Sequence, residues 1–591
     1  MTARSGVCFV IALSAMVAAA GAFSLTRHGY TPDEEFTVFA VRGISAHGLP
    51  LLPSGLLYDR GLLYSYTAWL TGALTGADLA AFRAVALACA AATLGVGFAL
   101  VRRLASPAAG AVAALFVATS VPFWAVATTA RFYAPFLLTS VALLLILSRL
   151  SRSHPWHPSH PSHHLPHPSH PVAPRRTLAA VLCLAFASRL LHELAFALIA
   201  LPLVAIAIGA TGGDPERGRL RIWTAVCRAM LAGLGIAQAM LMALHFLMPP
   251  SDGGGTMIRR FFLWQVLNLF ERPAGAPLGV VLAAVVVGLL VSPRHFIRVA
   301  RAGAVAAFVV IVSASVYDQV TAQSSSTLWH GLAYPLDMFW YLAAAHPLMV
   351  WGAFASISAR LAGAGGEWPI GERAAHLAWV GWVLWFGVIE SGITINYQLL
   401  PTVCLLAALA LDLVAIGEHT RAIWPGRRAQ VIRAVLVGAA LLVVADQWRG
   451  EGPVPARLAA ARPTIEVPGI ESVRASLGAD DRVFCTDELA CLLLIGRADT
   501  WLALDDYVRE RFVVTRATTR AGVYGGAPAA FSLVEAIAAA PAAARVVVVD
   551  VFKEYPVGNS SEWLPRALAA EHLHAHAVLE TTQARVVEIR R

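Results

Sequence analysis

Charge is what this sequence has least of. Only 14% of its 591 residues are charged, against roughly 25% in an ordinary soluble domain, and lysine is absent except for Lys553. With 58% hydrophobic residues and a mean hydropathy of +0.65, the chain carries more apolar surface than a water-soluble fold can bury. Cysteine is sparse as well: five of the seven lie inside apolar spans, and none falls into a metal-binding or redox spacing. The net charge of +9 is arginine spread between hydrophobic spans. That distribution points to a membrane and excludes nucleic acid as the partner.

Apolar segments near the roughly 20 residues needed to cross a bilayer recur from Val7 to about Trp448. Arginine clusters at 102–103, 149–176, 217–221, 294–301, 360–373 and 421–428 separate alternate spans. This positive-inside pattern predicts about thirteen spans. They are 7–25, 78–101, a hairpin out to Arg131 and back to Arg149, a second from Arg175 out to Arg189–Glu193 and back to Arg217, then 222–247, 277–293, 302–317, 341–359, 376–391, 398–416 and 430–447. Arg4 orients the first span outward, while Ala18-Ala19-Ala20-Gly21 keeps signal-peptide cleavage open. The insert His154 to Pro174, made of Pro-Ser-His and His-Pro repeats, has nothing to bury and reads as a disordered cytoplasmic loop. Its histidines could take a transition metal, but low-complexity drift is the simpler account.

The expected fold is therefore mainly α: a polytopic helical membrane part over 1–448 and a soluble, extracytoplasmic α/β domain over 449–591. In the latter, strand-like runs (Arg482 to Cys485, Arg545 to Val551, Ala575 to Leu579, Arg585 to Ile589) alternate with helical ones (Asp487 to Ile495, Ser532 to Ala540, Ser561 to Ala570). Cys485 and Cys491 either pair there or remain two buried thiols.

The topology brings Asp33-Glu34, Arg131, His192-Glu193, Arg259-Arg260 and Asn396-Tyr397 to one face, the outer one. Thr31 as N-cap, Pro32 at N1 and Glu34 at N3 spell a capping box, with Phe36, Phe39, Ala40 and Ile44 along one side of an interfacial helix. Glu34 is explained by that cap as well as by a functional role, whereas Asp33 is not needed for it. An aspartate at a helix N-terminus stays ionised and can accept a proton from a hydroxyl at the membrane surface, which is the role of a general base. Arg131, Arg189 and the Arg259-Arg260 pair have the forked donors that a phosphate calls for, and each can equally snorkel to lipid headgroups. Phe132, Tyr133 and Pro135 around Arg131 fit a helix break lining a cavity. Met257 to Phe270 reads as an amphipathic surface helix, suited to a prenyl chain or to plain anchoring. His192-Glu193 interrupts an apolar hairpin and either contacts a metal or acceptor or pairs structurally with Arg189.

The Asp-Glu pair directly after the first span, the Gly48 to Gly61 stretch, Ala130-Arg131-Phe132-Tyr133-Ala134-Pro135 and Asn396-Tyr397-Gln398-Leu399-Leu400-Pro401 together resemble the GT-C superfamily of glycosyltransferases. Over 1–448 the chain is most similar to the protein O-mannosyltransferase and lipid A aminoarabinose transferase branch, glycosyltransferase family 39. The resemblance implies a polyprenyl-phosphate sugar donor, a lipid, glycan or protein acceptor presenting its hydroxyl from the outer side of a bacterial inner membrane, and inversion at the anomeric carbon. It makes Asp33 the base and gives Glu34 to the acceptor, or to a divalent cation where one is used. For the donor phosphate and lipid such a reaction needs, the candidates on the outer face are Arg131, Tyr133, Arg189, Arg259, Arg260 and Tyr397. Members often carry Arg-Tyr where this chain has Asn396-Tyr397, so a phosphate contact there is weakened or supplied elsewhere. Gly496 to Leu502 and Tyr524 to Pro528 resemble tail segments of such transferases; Gly525-Gly526 lacks the spacing of a phosphate loop. Acceptor binding and capping of the outer cavity are both open for the tail. The alternative is a transporter or flippase of a lipid-linked intermediate, which should hold ionisable residues deep in its spans and show inverted repeats. Of these the sequence offers only Glu390 and Asp412, near span ends. A scaffold whose tail binds a partner leaves the shared sidedness unexplained.

Overall fold

The computed structural model describes residues 2–25, 29–151 (without 32, 77 and 78), 175–195 with 198 (without 193), 216–247, 347–361, 375, 376, 379, 395–447 (without 425), and 465–590 apart from short stretches within 505–518 and 553–562. The expected spans 277–293 and 302–317, most of 376–391, the loop 154–174 and the helix 257–270 lie outside these residues.

Unbroken Ala/Leu/Val runs become helices wherever no proline or glycine pair interrupts them. The membrane part begins with α1 (Ala3–Leu25), α2 (Glu34–His47), α3 (Leu62–Thr75) and α4 (Leu79–Leu104). It continues with α5 (Pro107–Ala118), α6 (Val121–Ala127), α7 (Tyr133–Ser151) and α8 (Arg175–Leu191), and further helices run over Glu216–Leu247, Pro347–Leu361, Ile395–Ile423 and Arg427–Gln447. Among the described residues five helices are long and apolar enough to cross a membrane, and a sixth span exists if α5 and α6, bent by 68°, count as one. The bend has a local cause. Ser106 caps α5 by accepting the Ala109 N–H, with Pro107 in its first turn, and α6 restarts with Pro122 in its own. Arg103 at the end of α4 donates to the Ser148 and Arg149 carbonyls at the end of α7. Cations thus collect at two helix C-termini on one side of the bundle, as the arginine pattern requires.

The tail holds a six-stranded sheet in the order β5-β2-β1-β6-β10-β9. Its strands are β1 (Arg482–Cys485), β2 (Thr500–Leu502), β5 (Ala529–Ala530), β6 (Val546–Val551), β9 (His574–Glu580) and β10 (Ala584–Arg590). β3 (Val513–Arg516) with β4 (Thr519–Gly522), and β7 (Glu554–Tyr555) with β8 (Gly558–Asn559), form two small hairpins. β1, β2, β5 and β6 run parallel and β10 and β9 close the edge antiparallel. All six residues of β6 are buried, five of them valine, as suits a strand at the centre of the sheet covered on both sides. Every strand and helix expected from the alternation is present; β2 and β5 are too short to carry a readable period. Cys485 and Cys491 form a disulfide that ties helix Glu488–Leu494 to the end of β1. Within the Gly496 to Leu502 segment, Arg497 pairs with Asp499, whose carboxylate accepts the Val483 N–H.

The tail sits on the segment after α1. Tyr30 forms a β-bridge with Ile465 and donates its hydroxyl to the Ala490 carbonyl. Phe39, Ala40, Leu52, Leu56 and Tyr58 share one apolar cluster with Leu489 and Val523 of the tail.

Candidate active site

Helix α2 starts at Glu34 with Asp33 in the N-cap position, two residues later than a helix capped by Thr31. The expected capping box closes on one arm. Glu34 accepts the Thr31 N–H at 2.8 Å, while the buried Thr31 hydroxyl has no hydrogen-bond partner. The Glu34 N–H goes instead to the Thr31 carbonyl at 2.9 Å, and the Glu34 side chain has further partners. Its carboxylate is fully buried and takes the Arg83 guanidinium in a fork, Nε to Oε1 at 2.8 Å and Nη2 to Oε2 at 2.6 Å, together with the Ala130 N–H at 2.7 Å. Both oxygens are thus committed to protein donors, so Glu34 fixes the architecture. Thr37 completes the clamp by donating to the Ala130 carbonyl at 2.8 Å. These bonds tie the turn Thr128–Phe132, between α6 and α7, to the first turns of α2.

That turn delivers Arg131. Its side chain is only 4% exposed and donates through Nη1 to the Tyr58 hydroxyl. It lies 4.7 Å from the Phe132 ring, 5.8 Å from Phe36 and from Tyr58, and 5.9 Å from Tyr133. Burial works against its charge, but the Tyr58, Asp33 and Tyr133 oxygens outweigh it and hold the guanidinium protonated above the ordinary arginine range. Its Nε–H is buried without a hydrogen-bond partner. Asp33, partly exposed, is within electrostatic reach of both Arg131 and Tyr58. Burial likewise pushes the Tyr58 hydroxyl far up, so Tyr58 is a neutral donor and acceptor. Gly61 makes the packing feasible: its φ of +71° suits only glycine, and a Cβ there would lie 2.4 Å from the Phe132 ring.

The structure therefore brings together Asp33, Glu34, Arg131, Tyr133 and His192. His192 is buried, its ring 5.0 Å from Phe132 and 5.6 Å from Tyr133, and its Nδ1 accepts the Leu194 N–H. Arg189 bonds Gln238 at 2.8 Å on helix Glu216–Leu247. Tyr397 falls in the first turn of helix Ile395–Ile423. Glu193, Arg259 and Arg260 lie outside the described residues. No group of three or more His, Cys, Asp or Glu side chains among the described residues could hold a metal ion. The sequence reading missed Arg83 and Tyr58. Arg83 carried a signal, a lone charge inside an apolar run, whereas Tyr58 is one tyrosine among several in a leucine-rich segment.

A second polar cluster lies within the helices. Asp412 Oδ2 accepts from Ser356 at 2.7 Å and meets His376 Nε2 at 2.7 Å, and Trp379 donates to His376 Nδ1 at 3.3 Å. With Nδ1 accepting, the imidazole proton sits on Nε2 and is donated to Asp412. Asp412, expected near a span end, is instead fully buried well inside helix Ile395–Ile423.

No protein-family model matches the chain, and no curated protein sequence does. Among solved structures it is similar to the crystal structure of ArnT from Cupriavidus metallidurans bound to undecaprenyl phosphate, at 14% identity over 99% of this chain and 98% of that one, with a TM-score of 0.41. The apo state of the same protein gives 14% identity, the same coverage and a TM-score of 0.40. The Archaeoglobus fulgidus oligosaccharyltransferase in its apo form gives 13% identity over 84% of this chain and 64% of that one, with a TM-score of 0.45.

Proposed function

We propose that this protein is a membrane glycosyltransferase that moves a sugar from a polyprenyl-phosphate donor to an acceptor hydroxyl at the outer face of a bacterial inner membrane, with inversion. The observation that carries the reading is a buried, charged Arg131 with an unpartnered Nε–H beside a partly exposed Asp33. Asp33 takes the proton from the acceptor hydroxyl as that oxygen attacks the anomeric carbon. The bond from that carbon to the phosphate oxygen breaks on the opposite side, and the departing lipid phosphate gains a negative charge. In a partly dehydrated site that charge needs a fixed cation, which Arg131 supplies. Glu34 and Arg83 hold Asp33 and Arg131 in register, and the Cys485–Cys491 disulfide is consistent with a tail in an oxidising compartment. Sugar transfer by a folded Asp33→Asn protein tests the assignment. Turnover should fall roughly 10²-fold or more, and unchanged turnover would remove Asp33 from the chemistry.

The buried Ser356–Asp412–His376 cluster favours a second reading, a carrier or flippase of a lipid-linked intermediate, because ionisable groups inside spans commonly mark transport paths. Asp412→Asn separates the two. On the transferase reading transfer survives while thermal stability drops, whereas a carrier would lose lipid translocation in vesicles.

A further inference from the structure

The tail reaches the site through one carboxylate that the mechanism leaves unused. Glu488, at the start of helix Glu488–Leu494, is buried and accepts the N–H groups of Gly525, at 2.7 Å, and of Ala527. The loop is shaped around it, since a Cβ at Gly525 would lie 2.1 Å from its carboxyl carbon and one at Gly522 2.3 Å from Oε2. So held, the loop presents two contacts to the membrane part. The Tyr524 carbonyl accepts the Ser54 N–H at 3.0 Å, and the Tyr524 ring packs edge-on against Phe36 with centroids 4.9 Å apart. Phe36 in turn stacks on Tyr58 at 5.6 Å and 14°, and Tyr58 accepts from Arg131. One continuous set of contacts thus runs from Glu488 to the guanidinium.

Resting on the transferase reading above, we propose that Glu488 is a positioning residue for the transfer site: it fixes the Tyr524–Ala527 loop, and the Tyr524–Phe36–Tyr58 stack sets the pose of Arg131. A loop that merely roofed the domain would need no bond to Ser54 and no ring against Phe36. Glutamine cannot replace the carboxylate, because its NH2 group would face a backbone donor where an acceptor is needed.

The test uses the full-length protein in lipid nanodiscs with Glu488→Gln and Tyr524→Ala, and Glu580→Gln in the exposed pair with Arg585 as the tail control. Hydrogen exchange is read over 52–58, transfer kcat and KM are measured with a polyprenyl-phosphate sugar, and mass analysis checks the Cys485–Cys491 bridge. Exchange over 52–58 should rise roughly tenfold in both variants, and kcat should fall roughly tenfold with acceptor KM unchanged. Glu580→Gln should match wild type. Exchange that does not move, or exchange that moves while kcat holds, overturns the proposal. Should Glu488→Gln lose its bridge, Tyr524→Ala, which leaves the carboxylate and loop bonds in place, decides on the same criteria. A wild type without transfer sinks the transferase reading alone, and the exchange comparison then still decides whether Glu488 holds 52–58.

Discussion

Arg131 is asked to do two things that a lysine cannot do together. Its guanidinium bonds the Tyr58 hydroxyl while lying over Phe132, and on the proposed mechanism its buried, unpartnered Nε–H serves the phosphate. An ammonium is a compact, strongly hydrated charge with no planar face to stack. Arg131→Lys should therefore lower kcat/KM for the donor roughly 10²-fold, the scale for losing one preorganised donor to developing charge, in a steady-state assay on protein that melts like wild type. An unaffected kcat/KM would mean the phosphate is held elsewhere. The same residue explains what could be read in advance. Asp33 and Arg131 stood out because each is a charge in apolar surroundings next to turn residues. Arg83 is one charge within an apolar span, and nothing local in the sequence marks it as the partner of Glu34. Tyr58 and the packing of His192 on Phe132 depend on contacts across 73 and 60 positions of chain, which no local pattern encodes.

Elements are aligned here by charge as much as by apolar packing. The Glu34–Arg83 fork joins α2 to α4, and the Ala130 bonds join α2 to the α6–α7 turn. Removing one member leaves the other buried and uncompensated, which costs roughly 3–5 kcal/mol, whereas replacing both by apolar groups is often near neutral. Arg83→Met alone should thus lower thermal stability sharply, and Glu34→Leu with Arg83→Met should recover much of the loss while transfer stays impaired, because the clamp on Ala130 is gone. A double variant that regained full turnover would show that the clamp does not hold the site. The strands and helices of the tail were legible because their periods are local, and α1, α4 and α7 because length and hydropathy define a span. The 68° break between α5 and α6 was not, since two prolines near helix starts announce a boundary but not its angle.

At the scale of the whole molecule, the tail packs against the residues around the candidate site. Burial raises Glu488 to about 7, against two backbone N–H bonds that favour the carboxylate, and raises Asp550 to about 6 against the Thr486 hydrogen bond and Arg585. Both groups hold a proton more tightly folded than unfolded. Their contribution is complete below the unfolded values, 4.5 for Glu488 and 3.8 for Asp550, and is lost as pH rises through about 7 and about 6. The tail's unfolding transition, followed through Trp501, should therefore move to lower temperature as pH is raised from about 5 to about 8. Above pH about 7 Asp550 has largely titrated, so the remaining slope belongs mainly to Glu488, and Glu488→Gln, neutral throughout, should flatten it. A slope that persists unchanged in Glu488→Gln would assign it to other groups. Because Glu488 also fixes the loop that stacks on Phe36, the proton that stabilises the folded tail is removed from the same carboxyl that shapes the outer site, so the melting slope and the exchange over 52–58 should change together.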